Sequence, residues 1–351
     1  MRLMLLTADY PPDTWSGIGQ AVERQAHGLS RIGAEVHVLY PMPRGREFRR
    51  SLSLGLRLHN LNTASFPINP HGFDWIHLHS LGLAELALEI RRRTGTRLAY
   101  TAHSILALEL AGQDGAARVI EAQKHLMRIC DAVILLSRSE REAALHFLPE
   151  LSTRSFVVGN AVKDPIMTGH WGEHGPIVFA GRFARTKGIA TLCGLLPRLH
   201  KEWSGLFIVA GGHGDVESCD MVKTLDSQMS GACQIKGWLG VDELERLLAR
   251  ASLVLVPSEY EPFGMMAVEA MRMGVPVLAA NTGGLTETAG PGSGALLVDS
   301  HHPEDWLKAA LQLLEDPTLS NVLRRRGPQW ASQHFSETKI ASQLFRCVYA
   351  A

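Results

Sequence analysis

Glu261 opens the stretch EPFGMMAVEA, and a second glutamate, Glu269, stands eight positions later. Between them lie a proline, a phenylalanine, a glycine and an almost wholly apolar run. A glutamate is rarely buried without a partner, so its presence in such a run calls for a chemical reason. The preceding LVLVPSEY reads as a buried strand that stops at Pro257. Pro262 then suits the first turn of a helix, where its missing N–H costs nothing. This spacing places Glu261 at or just before a helix N-terminus and Glu269 about two turns inside. The helix dipole would favour the first carboxylate by itself. Both together fit acceptors for a hydroxyl-rich ligand, with the amides of the helix start meeting an anion such as phosphate. The two carboxyls of a glycosidase flank one bond roughly 5–9 Å apart. A tip-and-interior layout suits gripping two parts of an elongated ligand instead.

Other residues offer complementary chemistry. In AGRFARTKG, Arg182 leaves a strand end and Lys187 follows five residues later. Such a pair can hold a diphosphate, the guanidinium in bidentate fashion and the ammonium as a point charge. In NTGGLTETAG a strand ends, Gly283 and Gly284 turn, and Glu287 follows; this is equally an ordinary strand-to-helix turn. Gly17 and Gly19 open a helix after the first strand. Val22 occupies the third small-residue place of a dinucleotide fingerprint, and the loop DYPPDTWS is long for one, which argues against a nicotinamide cofactor. A loop whose backbone amides approach phosphate or acceptor is the better reading. In DWIHLHS, alternation puts Trp75, His77 and His79 on one strand face, and His103 ends another strand in TAHS. His103 reads as a hydrogen-bonding or acid–base group, His77 as structural, and His79 as open between the two roles. No further ligand stands at metal-binding spacing. The chain also has no Asp-x-Asp pair to hold a metal against a diphosphate. Charge compensation then falls to Arg182, Lys187 and helix N-termini.

The elements that must carry these residues alternate along the chain. Apolar runs at 2–8, 35–41, 74–80, 97–103 and 132–138 read as strands, mostly with helices between, the first of them over 19–32. After a Pro-, Gly- and His-rich stretch, runs at 177–182, 206–212, 233–239, 253–258, 276–281 and 294–299 repeat the pattern, and 304–316 and 319–350 read as helices. Such alternation predicts two parallel α/β domains, each binding its ligand at the strand C-termini. Their expected limits are 1–163, a linker at 164–175, and 176–332. A length of 351 residues accommodates two such cores without disulfides or metals. Lys plus Arg and Asp plus Glu both number 35, which gives no electrostatic case for nucleic acid. The five cysteines are odd in number and lack a CxxC pair, as expected of reduced thiols in the cytoplasm. The opening MRLMLLTADY reads as a first strand rather than a signal peptide, and no apolar run reaches the ~18 residues of a membrane span. The basic piece PRGREFRRS (43–51) reads as a solvated loop, with a peripheral membrane contact as the alternative.

Taken in order, SGIG (16–19), TAHS (101–104), GRFARTKG (181–188), AGGHGD (210–215), PSEYEPFGMMAVEAMRMGVPV (257–277) and GGLTE (283–287) make the chain resemble the retaining glycosyltransferases of family 4. The likeness spans essentially the whole chain, and its specific part is the Glu-x7-Glu segment. It implies a GT-B fold, two Rossmann-like domains facing a central cleft, with a last helix, from about 333 to 351, crossing back to the N-terminal domain. It implies a nucleotide-diphosphate sugar as donor, a UDP-sugar first and GDP- or ADP-sugars as alternatives, bound by the C-terminal domain. In that reading Arg182 and Lys187 contact the diphosphate, Glu269 the ribose hydroxyls and Glu261 the hydroxyls of the transferred sugar. Amides around Phe263, Gly264 and Met265, with Gly17, Gly19, Gly211 and Gly212, complete the donor site. Catalysis is assigned to His103, Glu261, Arg182 and Lys187, and acceptor binding in the N-terminal domain to Trp15, His79 and His103. Transfer proceeds with retention, without a metal or other cofactor, to an acceptor hydroxyl. The chain is short for the family, which favours a small acceptor, and His213 within AGGHGD is a departure on the phosphate side. A sugar-nucleotide 2-epimerase of the same architecture and a non-catalytic sugar-nucleotide binding protein are the rival readings.

Overall fold

Near-continuous Val, Leu, Ile and Ala runs, as in RLMLL and LVLV, can be satisfied only where a strand is covered on both faces. A computed structural model, describing residues 1–11, 17–42, 55–63, 65–163, 175–212, 214–229 and 231–350, shows how. The chain forms two compact units, Met1–Lys163 together with Phe335–Ala351, and Asp164–His334.

The first unit holds β1 (Arg2–Leu6), β2 (Glu35–Tyr40), β3 (Leu56–Asn60), β4 (Trp75–Leu78), β5 (Arg97–Ala102), β6 (Ala132–Leu135) and β7 (Ser155–Val157). They form one parallel sheet in the order β3-β2-β1-β4-β5-β6-β7. The pleat divides β1 between two cores. Leu3 and Leu5 pack with Val22, Ala26, Leu29, Ile340 and Leu344 on one face, while Met4 and Leu6 pack with Ile76, Leu98 and Leu126 on the other. The second unit holds β8 (Ile177–Arg182), β9 (Phe207–Gly212), β10 (Cys233–Lys236), β11 (Leu253–Val256), β12 (Val277–Ala280) and β13 (Ala295–Val298), in the order β10-β9-β8-β11-β12-β13. In each sheet the order reverses once, between β1 and β4 and between β8 and β11. At such a point neighbouring connections diverge to opposite faces and leave a crevice beyond the strand C-termini.

The C-terminal segment belongs to the first unit from Phe335, where the expectation put residue 333. The Val162 amide donates to the Phe335 carbonyl at 2.8 Å. The helix Glu337–Leu344 lies so close on the helix Gly17–Arg31 that a Cβ at Gly28 would stand 2.3 Å from the Glu337 carbonyl oxygen. The single helix expected over 319–350 is broken, because Ser336 takes extended angles (φ −60°, ψ 150°) between the helices Pro317–Phe335 and Glu337–Leu344. Two strands escaped the pattern reading. β3 carries the mixed sequence LRLHN at a sheet edge, and β7 has only three residues, too few for a period. Among the described residues no helix is long and apolar enough to cross a membrane. Most of the expected linker at 164–175, the basic stretch 43–51, and Trp15, Ser16 and His213 lie outside the described residues.

Candidate active site

In the second unit the residues singled out by type collect at the strand ends around the β8–β11 reversal. Arg182 is the exposed last residue of β8, paired in register with Gly212 at the end of β9 as Gly181 is with Gly211. Lys187 ends a short 3-10 turn, Arg185–Lys187, that leads into the helix Ile189–Glu202. Gly188 makes that entry possible. Its φ is +69°, and a Cβ there would stand 1.7 Å from the Pro257 carbonyl oxygen. This close approach joins the loop after β8 to the loop after β11. The amides of Glu259 and Tyr260 both donate to the Thr186 carbonyl, at 3.0 and 3.1 Å. On the far side the Gly284 amide donates to the Glu261 carbonyl at 2.7 Å, and the Thr288 hydroxyl donates to the Phe263 carbonyl at 2.7 Å. Glu261 is thus clamped from both neighbouring connections.

The clamp delivers its carboxylate to Lys187. Lys187 Nζ lies 2.7 Å from Glu261 Oε2, and Ser258 Oγ donates to the same oxygen at 3.1 Å. The two side chains are only 22% and 12% exposed, so this ion pair is largely shielded from solvent. Arg185 forms a second, more exposed link between the same loops, to Glu259 at 2.9 Å. Asp215 caps the helix Val216–Gln228 by accepting from the Ser218 amide and ties in the loop after β8 by accepting from the Arg185 amide, both at 2.8 Å. Burial works against its charge, but these amide donors hold its carboxyl below the usual carboxylate range.

The helix after Glu261 begins later than its proline suggests. Gly264, at φ +97°, is the N-cap of the helix Met265–Arg272, and Pro262 lies in the loop before it. Glu261 therefore stands four residues ahead of the first helical residue, and Glu269 about one turn inside rather than two. The first-turn amides of that helix, starting with Met265, have no intrahelical acceptor. Glu269 is 8% exposed and accepts from Arg272 Nε at 2.9 Å. Arg272, itself 0% exposed, also reaches Glu245 at 2.8 Å. The two glutamates thus belong to different networks, one with Lys187 and one with Arg272. Arg272 and Ser258 are the partners that reading by motif missed. The i,i+3 spacing of Glu269 and Arg272 on a helix was the available signal. Glu287 lies in the short helix Leu285–Thr288 that follows Gly283 and Gly284.

In the first unit the histidines meet at the ends of β4 and β5, beside the β1–β4 reversal. The His79 amide donates to the Leu6 carbonyl at 2.9 Å, and Ser80 Oγ accepts from the Ala8 amide at 2.9 Å. His77 is fully buried and saturated. Its Nδ1 meets Gln25 Nε2 at 3.1 Å and the Tyr349 hydroxyl, and its Nε2 faces Thr101 Oγ1 at 2.7 Å. Its structural role agrees with the alternation that put it on one face with Trp75 and His79: Trp75 also packs on Tyr349, and the His77 and His79 rings stack 4.2 Å apart. His79 is 3% exposed, and its Nδ1 lies 3.2 Å from Nε2 of His103. The partly exposed His103 follows β5, and its loop is held by the buried Gln123, which bonds the Ser104 carbonyl and the Leu106 amide at 2.8 and 2.9 Å. Burial lowers all three imidazoles, His77 to about 3, His103 to about 4 and His79 well below the ordinary value. All are neutral at neutral pH. Among the described residues no group of three or more His, Cys, Asp or Glu is arranged to hold a metal ion. Gly17 and Gly19 begin the helix Gly17–Arg31, and the position a Cβ would take at Gly17 is open space.

Comparison with known proteins agrees with both units. Residues 15–164 match the model of Glycosyltransferase Family 4, and residues 171–330 match that of Glycosyl transferases group 1. The alpha-maltose-1-phosphate synthase of Mycobacterium tuberculosis is 27% identical, over 98% of this chain and 97% of its own. The glycogen synthase of the same organism is 23% identical, over 100% and 95%. Sucrose-phosphate synthase from Thermosynechococcus elongatus superposes with a TM-score of 0.80 at 21% identity, covering 99% of each chain. Anabaena HepE, solved with UDP and glucose, gives 0.77 at 17% identity over 100% of both chains. The catalytic domain of Arabidopsis thaliana starch synthase IV, bound to ADP and acarbose, gives 0.74 at 16% identity, over 99% of this chain and 98% of that one. With both halves matched in sequence and the two-sheet architecture matched throughout, the chain belongs to the family 4 glycosyltransferases and has the GT-B fold.

Proposed function

We propose that this enzyme moves a sugar from a nucleotide-diphosphate sugar to a hydroxyl of a small acceptor, with retention at the anomeric carbon and without a metal. The observation that carries the reading is the shielded Lys187–Glu261 pair at the strand ends of the second unit. A diphosphate supplies the anion that draws Lys187 away, and the hydroxyls of the attached sugar supply donors for the Glu261 carboxylate so released. Arg182 and the first-turn amides from Met265, beside Phe263 and Gly264, add to the charge compensation of the leaving diphosphate. Gly211 and Gly212 let the phosphates approach the backbone, and Glu269 holds the ribose. The first unit takes the acceptor, with His103, backed by His79, at its strand ends and Gly17 and Gly19 at the start of its first helix as the residues that meet ligand. The leaving diphosphate, on the same face as the incoming hydroxyl, receives its proton. UDP-sugars are the favoured donors, supported by the UDP complex of HepE, with ADP-sugars next on the strength of the starch synthase complex. Five free thiols fit a reducing compartment, and we place the enzyme in the cytoplasm.

The synthases named above favour transfer over epimerisation. A panel of nucleotide sugars incubated with and without acceptor sugars tests the choice. Release of free nucleotide diphosphate only when an acceptor is present is expected. Interconversion of two nucleotide sugars with no acceptor overturns it.

A further inference from the structure

His79 and His103 share one hydrogen bond between two ring nitrogens, and one proton must lie in it. Two arrangements satisfy that bond. In the first, His103 Nε2–H donates to His79 Nδ1. His79 then carries its own proton elsewhere or not at all, and as a neutral imidazole it must carry it on Nε2. In the second, His79 Nδ1–H donates to His103 Nε2, and His79 Nε2 is a bare lone pair. Among the described residues, His79 Nε2 is buried and has no hydrogen-bond partner. The first arrangement therefore buries an N–H with no acceptor, whereas the second buries only an unmatched acceptor. Orphaned buried N–H groups are the rarer of the two in proteins.

The neighbours fix this choice in place. His77 stacks on His79 at 4.2 Å and is spoken for at both nitrogens, so it offers neither a donor nor an acceptor to His79 Nε2. The His79 amide is tied to the end of β1 and the Ser104 carbonyl, beside His103, to Gln123, so the two backbones that carry the rings are held in place.

We infer that His79 is a positioning residue that sets the tautomer of His103, so that His103 presents Nδ1–H to the ligand as a hydrogen-bond donor. His103 then grips an acceptor oxygen, a sugar hydroxyl lone pair or a phosphate oxygen, and cannot take a proton from the acceptor hydroxyl at Nδ1. The contact with ligand and its consequence for the reaction, that deprotonation falls to the leaving diphosphate, rest on the proposed function. The tautomer itself does not. His79 acts through His103, since its own free nitrogen is enclosed.

Long-range ¹H–¹⁵N correlation spectra of the histidine rings in the unliganded enzyme at pH 7.5 test this directly. The expected result is a protonated Nδ1 and a bare Nε2 at His103, with the same at His79. A His103 protonated at Nε2 overturns the inference. His79→Leu removes the donor, and His103 is expected to shift toward Nε2–H, the form favoured by a free histidine side chain. His79→Asn, whose amide nitrogen stands near the place of Nδ1, is expected to restore the parental tautomer. An unchanged His103 spectrum in His79→Leu also overturns it. Loss of activity without a tautomer change would mark His79 as merely structural and counts against the inference. His103→Ala with full turnover would instead sink the assigned role of His103 and leave the tautomer reading standing.

Discussion

Lys187 and Glu261 neutralise one another at 2.7 Å in the unliganded protein, and this changes what their removal should do. A charge-assisted contact contributes about 1.5–3 kcal/mol, so Lys187→Ala should weaken binding of the free nucleotide diphosphate roughly tenfold or more. Glu261→Ala should leave that affinity unchanged or raise it, because Lys187 no longer has an ion pair to break. Its transfer rate should nevertheless fall by about 10²–10³, as when a preorganised polar contact to a developing charge is removed. Titration calorimetry with the nucleotide diphosphate, paired with initial rates, checks both. Glu261→Ala binding as poorly as Lys187→Ala would contradict the division of labour. Glu269→Ala should weaken the nucleotide itself. The residue types were legible in the sequence, and so was their grouping at strand ends. The pairings were not, because Lys187 and Glu261 are 74 residues apart and meet only through the reversal of strand order between β8 and β11.

At the level of elements, the connections after β8, β11 and β12 act as one block, packed backbone against backbone. Gly188 sits in that block. Gly188→Ala puts a Cβ 1.7 Å from the Pro257 carbonyl oxygen in a backbone conformation that L residues avoid. A loss of about 1–3 kcal/mol in urea denaturation is expected, with reduced turnover as Lys187 shifts. Gly17 offers the contrasting case, since nothing stands within 4 Å of where its Cβ would be. Gly17→Ala lies in a helix and should keep stability to within about 0.5 kcal/mol. Its turnover should still fall, because in the proposed function the open space at Gly17 is kept for ligand. Full turnover in Gly17→Ala, or full stability in Gly188→Ala, would contradict these roles. Strand identity was readable wherever a run was apolar on both faces, as in β1, β11 and β12. The start of the helix Met265–Arg272 was not, because Pro262 suits a first helical turn while the left-handed Gly264 sets the actual boundary.

For the whole molecule, burial holds neutral imidazoles inside the first unit. His77 is lowered to about 3, and His103 and His59 to about 4, from the ordinary 6.5. Below pH 6.5 the unfolded chain takes up protons that these folded sites refuse, so stability is fully present above pH 6.5. It falls as pH drops from there toward 4, and for His77 toward 3, each unit of depression amounting to about 1.4 kcal/mol. Between pH 6.5 and 5 carboxylates contribute little, and unfolding midpoints measured across that window should fall steadily. A flat profile there would contradict burial of neutral histidines. The same burial keeps His77 under Tyr349, whose segment returns to the first unit after the whole second unit has been made. That return was legible only by resemblance, since no local pattern announces which sheet a last helix will join. The central claim is retaining transfer from a nucleotide sugar, and its most direct test is the anomeric configuration of the first-formed product, read by ¹H NMR beside the configuration of the donor. The same configuration, with one nucleotide diphosphate released for each bond formed, is the expected result. An inverted product, or a nucleotide sugar converted without any acceptor, would contradict it.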